Sequence, residues 1–318
     1  MKQFLFRHHA FGLSIASDIH LPAPTPDSKT RPDLVIRQGP LLSTLARSPR
    51  RISDLLQIDC VAADHWILFA NGLDPAERFS ASVRPGSIEV GFNAGVHVAD
   101  VAVHLLGIGI AAHAYVSARA CLHASCIRMA DQAVILLGDS GRGKSTLSAA
   151  LIAAGGQLVS EEIVLLGDDP REVVPGIPTI KITQDVANLL GLGGDTLPAF
   201  KHKNYGHEGV RVGLTQDQFA GHDLAQVSAI YLLGERHLGL APILSPPLPI
   251  GEAAATLVEA AYWAPNLPQR YRALMMRTAL RMALDTPMYL LQLPDNLDSL
   301  PEAISLLHAQ VCEMEFGV

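Results

Sequence analysis

The stretch 138–146, GDSGRGKST, constrains the fold more than any other part of the sequence. It matches the phosphate-binding pattern G-x-x-x-x-G-K-[ST] at every fixed position. An apolar run typical of a strand, 133–137, precedes it, and a run typical of a helix, 146–154, follows it. Glycines let the backbone approach a phosphate chain, and the helix N-terminus attracts the anion. The sequence therefore predicts an α/β domain with a triphosphate site.

The loop supplies a continuous set of candidate nucleotide-binding residues. They are Gly138, Asp139, Ser140, Gly141, Arg142, Gly143, Lys144, Ser145 and Thr146. Lys144 is expected to reach the β- and γ-phosphates, and the Ser145 hydroxyl is expected to bind Mg²⁺. ATP and Mg²⁺ are therefore the predicted cofactors. The alternative is a glycine-rich turn that binds no ligand.

Two adjacent carboxylates, Glu161 and Glu162, lie in an apolar run at 157–166, one helix after the loop. A strand–helix–strand unit of this length predicts that the second strand returns beside the first, which places both carboxylates near the phosphates. Adjacent strand residues point to opposite faces, so unless a bend intervenes the two are expected to do different jobs. One can assist the metal while the other accepts the proton of an attacking hydroxyl. The alternatives are an exposed strand end or a pairing with surface arginines.

The pattern along the chain predicts two domains: a β-rich domain at 1–96 and a P-loop kinase domain at 97–318 in which helices flank a central sheet. Alternating apolar residues at 79–83 and 88–92, separated by the turn 84–87, predict a hairpin. Other predicted elements are strands at 33–36, 66–69, 121–128, 132–137, 157–166 and 288–292, helices at 97–118 and 144–154, and a mostly helical C-terminus.

Composition narrows the class of protein. The net charge of −7 argues against a nucleic-acid partner. The apolar run 101–116 is shorter than the roughly 20 residues of a membrane span, so it is interpreted as a buried helix. Four cysteines without CxxC spacing argue against zinc and are compatible with a reducing cytoplasm. The guanine-specifying pattern N-K-x-D is absent, which argues against a GTPase switch.

Three features in this order resemble the catalytic domain of the HPr kinase/phosphorylase family: Leu122-His123-Ala124-Ser125, the phosphate loop, and the acidic pair one helix later. The resemblance implies an ATP-dependent serine kinase of that fold. It implies that His123 lies near the transferred phosphate, that Glu161 acts as the base toward a serine hydroxyl, and that Glu162 supports Mg²⁺. From spacing alone, His123 could equally be a core histidine.

The sequence also departs from that family. The family pair is normally Asp-Asp, whereas Glu161-Glu162 stands here, and Thr146 follows the loop serine where HPr kinase has an acidic residue. The loop that contacts HPr is not recognisable, so HPr is not the expected substrate. The Glu-Glu pair keeps open a third interpretation, a nucleotide-binding regulatory module with little turnover.

The N-terminal stretches 11–22 and 33–36 are similar to HPr-kinase-like proteins found with peptide-maturation genes. Some of those proteins phosphorylate the C-terminal serine of lasso peptide precursors. This resemblance implies a ribosomal precursor peptide as the partner and favours a homo-oligomer. The alternative within the same fold is a kinase that acts on a small alcohol or on free serine.

A basic stretch at 201–211 stands out in this acidic protein. Its candidate substrate-loop residues are Lys201, Lys203 and Arg211. They could close over the phosphates or bind a peptide carboxylate. A solvated basic loop is the alternative.

Overall fold

The computed structural model shows a mixed α/β protein. It describes residues 4–25, 31–42, 49–52, 56–71, 78–192, 196–197, 209–239 and 241–316. The chain forms two compact units: Met1–Cys121 with Tyr262–Leu274, and Leu122–Ala261 with Met275–Val318. The predicted boundary after residue 96 differs from this division. The helical segment that follows it packs on strands of the N-terminal sheet, and that packing assigns it to the first unit.

The first unit contains an eight-stranded sheet. Its strands are β1 Phe6–Ala10, β2 Leu13–Ser17, β3 Leu34–Gln38, β4 Arg50–Arg51, β5 Leu56–Ala62, β6 His65–Asn71, β7 Arg78–Arg84 and β8 Ser87–Phe92, in the order β1-β2-β3-β8-β7-β6-β5-β4. The predicted hairpin is confirmed as β7–β8. Its turn requires Gly86, whose φ is +72°.

The apolar segment forms a continuous helical run, Val98–Val116. It consists of α1 Val98–His104, a π-helical turn Leu105–Gly109 and α2 Ile110–Val116. By length and hydropathy alone this run could cross a membrane, although 61% of its most apolar window is buried within the protein. This burial is that of a core helix, as the sequence predicted. The helical run Val98–Val116 is longer than the apolar stretch 101–116 on which that prediction was based.

The second unit is built on a nine-stranded sheet. Its strands are β9 Cys121–Leu122, β10 Ser125–Met129, β11 Gln132–Leu137, β12 Gln157–Glu161, β13 Val164–Leu166, β14 Glu172–Val174, β18 Ala225–Leu233, β19 Ile243–Pro247 and β20 Met288–Gln292. The order β12-β10-β11-β18 defines the part that carries the phosphate loop, and β20 pairs with β18. A three-stranded sheet, β15-β17-β16, lies in the same unit: β15 Thr179–Thr183, β16 Thr196–Leu197, β17 Gly209–Gly213.

The described residues of this unit also form helices. They are α3 Lys144–Ala153, α4 Gln184–Leu189, α5 Ile250–Glu259, α6 Gln269–Asp285, which begins in the first unit, and α7 Leu300–Phe316. Leu147 and Leu151 of α3 and Leu307 of α7 are completely buried in one apolar cluster with β11 and β18. This burial fixes α3, and with it the phosphate loop, against the sheet.

Two predicted strands are interrupted in the structure. The segment 121–128 divides into β9 and β10 at His123-Ala124, and 157–166 divides into β12 and β13 at Glu162-Ile163. Both interruptions fall on residues that the sequence assigned to chemistry.

Candidate active site

Strand order brings three chain segments to one edge of the sheet. β12 was expected beside β11, but this expectation is wrong, because β10 lies between them and pairs antiparallel with both. The start of β10 therefore meets the ends of β11 and β12: Ser125 pairs with Leu136 on one side and with Glu161 on the other. His123, the phosphate loop and the acidic pair converge by this route.

The phosphate loop has the backbone that its glycines permit. Gly138, Gly141 and Gly143 have φ angles of +141°, +84° and +98°, which side chains with a Cβ rarely adopt. Gly143 is the N-cap of α3, so the first amides of that helix face the loop. Asp139, Ser140 and Gly141 are exposed, whereas Thr146 is half-buried. This backbone geometry fits the predicted anion cradle.

The Lys144 side chain folds over the loop. Its Nζ donates hydrogen bonds to the carbonyl oxygens of Gly138 and Asp139, the latter at 3.1 Å. Burial lowers the pKa of Lys144, while the carboxylates of Glu161 and Asp139 act in the opposite direction. The ammonium therefore sits where a phosphate oxygen could replace its two carbonyl partners.

Glu161 is tied directly to the loop. The Ser145 hydroxyl donates to Glu161 Oε1 at 2.8 Å. The other oxygen, Oε2, is buried and has no hydrogen-bond partner in the part of the chain that the structure describes. Burial raises the pKa of Glu161, and the neighbouring Glu162 raises it further, whereas Arg211, Ser145 and Lys181 lower it. An unsatisfied buried carboxylate oxygen beside a hydroxyl fits a hard cation such as Mg²⁺.

Glu162 occupies a sharp bend. Its φ of +69° is in the left-handed region, which is unfavourable for a residue with a side chain. The buried Ser160 hydroxyl donates to the carbonyl of Ile163 and so closes the bend. The strand alternation that separates the two glutamates is therefore broken between them. Glu162 Oε2 instead lies 3.6 Å from Arg211 Nη2.

Arg211 is an internal cation of this site and does not belong to an open loop. It lies in β17, is only 7% exposed, and donates to Thr179 Oγ1 at 3.0 Å. It pairs across the strands with Lys181 of β15. Lys201 and Lys203 fall outside the described residues. Sequence reasoning missed the Thr179–Arg211 bond, although the alternation of Thr179-Ile-Lys-Ile-Thr183 indicates the strand that forms it.

His123 lies between β9 and β10, where its backbone N–H donates to Ala260 O at 2.8 Å. Its side chain retains exposed surface, but the protein atoms around the ring reduce its solvation and lower its pKa. Lys144 lowers this pKa as well, and Glu162 raises it. His123 is thus electrostatically linked to the loop lysine and to the second acid.

The candidate Arg142 and the acidic residue Asp169 have ion-pair partners of their own. Arg142 points outward to Glu235, with Nη2 3.2 Å from Oε1. Asp169 serves the turn after β13, where Arg171 binds it at 2.7 Å and lowers its pKa to about 2. Among the described residues, no group of three or more His, Cys, Asp or Glu could hold a metal by itself. A cation at Ser145 and Glu161 would thus complete its shell with phosphate and water oxygens.

Comparisons with known proteins complete the description. No protein-family model matches the chain, and no curated protein matches it. Among solved structures, an HPr(Ser) kinase/phosphatase from Coxiella burnetii is 16% identical. The match covers 61% of this chain and 98% of that chain, with a TM-score of 0.32. Similarity at this level assigns neither activity nor substrate, so we infer function from the geometry of the site.

Proposed function

We propose that the protein is a phosphotransferase that moves the γ-phosphoryl group of Mg·ATP to a serine hydroxyl of a peptide. The observation that carries the proposal is the 2.8 Å bond between Ser145 Oγ and Glu161 Oε1. It joins the phosphate loop to an acid whose second oxygen is buried, at the point where a loop serine binds Mg²⁺. The convergent Lys144, Glu162 and His123 supply the rest of a transfer site.

The contacts favour a division of labour between the glutamates that reverses the one implied by family resemblance. Glu161 shares a hydrogen bond with the expected metal ligand Ser145 and has a free buried oxygen, so it supports the metal. Glu162 is turned away by its left-handed backbone and its side chain is 39% exposed. It can therefore meet an incoming hydroxyl and act as the base.

Bound Mg²⁺ would neutralise charge on the β- and γ-phosphates. Lys144 and the α3 amides hold the same oxygens. As the serine oxygen forms its bond to the γ-phosphorus, its proton passes to Glu162, and the bond from the γ-phosphorus to the bridging oxygen breaks. The products are ADP, a phosphoserine and one proton, so atoms and charge balance. Arg211, with Nη2 3.6 Å from Glu162 Oε2, holds this carboxylate in place.

The peptide substrate is the finer part of the proposal. The resemblance of the N-terminal stretches to kinases of peptide-maturation systems supports a precursor peptide with a C-terminal serine. A cytoplasmic location, where ATP is available and the free cysteines stay reduced, belongs to the same proposal, and so does a homo-oligomeric assembly.

The test is incubation with Mg·ATP and a panel of peptides, read by mass spectrometry as the gain of one phosphoryl group. Peptides ending in serine should gain it, and matched peptides ending in alanine should not. Transfer only to free serine or small alcohols would contradict the peptide substrate. Tight ATP binding with no transfer to any acceptor would contradict the kinase and leave a nucleotide-binding module.

A further inference from the structure

The phosphate loop has a second flank, formed by β18. This strand is the parallel neighbour of β11, with Leu137 beside Leu232. The two strands end so close together that a Cβ at Gly138 would lie 3.0 Å from the carbonyl oxygen of Leu233. The residues that follow β18 therefore lie against the loop.

Arg236 is the cation that this flank contributes. A Cβ added at Gly143 would overlap Nη2 of Arg236, so the guanidinium fills the space beside the third loop glycine. Nη1 of Arg236 donates to Pro294 O at 2.9 Å. The segment is held to the chain after β20 by backbone bonds from Gly234 N to Leu291 O and from His237 N to Leu293 O. The guanidinium is thus fixed in place without a ligand.

The groups around Arg236 leave its positive charge without a counter-ion among the described residues, which favours the binding of an anion. In the described part of the chain its hydrogen-bond partner is a neutral carbonyl, and the adjacent Glu235 is engaged by Arg142. Arg236 lies beside the N-terminus of α3, which carries partial positive charge. Cations and a helix N-terminus converge on the phosphate loop, an arrangement that a phosphate group stabilises.

Strand order indicates which phosphates are involved. Ser145 and Glu161 mark the position of the metal, and hence of the terminal phosphate, toward β10 and β12. β18 lies on the other side of β11. We propose that Arg236 binds the nucleotide at its nucleoside end, through the α- and β-phosphates. This inference rests on the proposed function, because it takes the ligand to be a nucleoside triphosphate.

The test compares ATP and ADP affinities, measured by calorimetry with Mg²⁺, for the wild type, Arg236→Gln and Arg236→Lys. Glutamine can still donate to Pro294 O but lacks the charge. We expect Arg236→Gln to weaken ATP and ADP by the same factor, about 10- to 100-fold, with lysine recovering part of the loss. At saturating ATP, kcat should stay within about threefold of wild type, because the contact is equally strong before and during transfer.

Arg171→Gln, which removes a surface cation of the β13–β14 turn, is the matched control and should leave both affinities unchanged. Equal ADP affinity in Arg236→Gln and wild type would overturn the inference, and so would a loss confined to ATP with a fall in kcat, which would place Arg236 at the γ-phosphate. A loss of thermal stability with unchanged nucleotide affinity would show that Arg236 only stabilises the fold, through its hydrogen bond to Pro294 O. A wild type that binds both nucleotides but transfers no phosphate refutes the kinase and leaves the affinity comparison valid.

Discussion

The two flanks of the phosphate loop differ in the charge that the fold places there. From the β12 side come the carboxylates Glu161 and Glu162, which are partly balanced by Arg211. From the β18 side comes the guanidinium of Arg236. A triphosphate with its metal is itself asymmetric, since the cation lies at one end and the bare phosphate oxygens extend to the other. If the ligand is a nucleoside triphosphate, as proposed, this difference in charge between the flanks would orient it along the loop.

A second contrast lies within the acidic flank. Glu161 is enclosed and bonded to Ser145, whereas Glu162 is more open, has a left-handed backbone and pairs with Arg211. The bend at Glu162 thus gives two neighbouring glutamates different partners and different possible roles. The following predictions test whether this contrast is real.

Glu161→Gln should have the largest effect. Glutamine retains an acceptor for the Ser145 hydroxyl but cannot neutralise a metal, so Mg-dependent transfer should fall at least about 100-fold. The apo protein should at the same time become more stable. Because burial raises the pKa of Glu161, its charged form is disfavoured in the folded state, and the stability linked to this group is lost as pH rises through the raised pKa.

Thermal melting at neutral pH and transfer assays on the same preparation measure both effects. Glu162→Gln is the comparison variant: it should also lose transfer, but it should not gain stability, because it removes the partner of Arg211. If the Glu161→Gln protein transfers phosphate at the wild-type rate, Glu161 does not support the metal.

Arg211→Ala should have the next largest effect, on stability. Arg211 is buried and binds both Thr179 and Glu162, but Glu162 is 39% exposed, so the loss is smaller than for a fully buried pair. We expect the free energy of unfolding to fall by about 1–3 kcal/mol. Urea denaturation measures this change. Arg211→Lys, which keeps the charge, should recover part of this. An unchanged denaturation midpoint for Arg211→Ala would show that the cation does not support the acidic flank.

The sequence predicted the local parts of this arrangement and missed the long-range ones. The phosphate loop and the β7–β8 hairpin follow from glycine spacing and alternation, because short-range sterics decide them. The β10–β11 hairpin is also local, but the pairing of β12 with β10 instead of β11 joins distant segments, which no local pattern encodes. The position of the bend at Glu162 could not be predicted for another reason. A positive φ favours glycine, and this position holds a glutamate. Arg236 shares no motif with the loop that it touches.

The pH dependence of Mg²⁺ binding should reveal the coupling between the two acids. Metal binding needs ionised Glu161, whose pKa is raised first by burial and then by Glu162. Affinity for Mg²⁺ in the presence of ADP should therefore fall as pH drops through that raised pKa. Glu162→Gln removes one raising influence and should move the midpoint to lower pH. Calorimetric titrations across the pH range test this. A midpoint that moves to higher pH or does not move would show that Glu162 does not raise the pKa of Glu161.

The smallest expected effect concerns the backbone of Glu162. Glu162→Ala and Glu162→Gly both remove the carboxylate and the contact with Arg211, but only glycine adopts a φ of +69° without steric cost. The glycine variant should therefore be more stable than the alanine variant by about 1 kcal/mol, after allowance for the greater freedom of glycine in the unfolded chain. Comparison of the two variants cancels the loss of charge and isolates the bend. If alanine is the more stable of the pair, the left-handed turn is not what separates Glu162 from Glu161, and the two acids must be distinguished by burial alone.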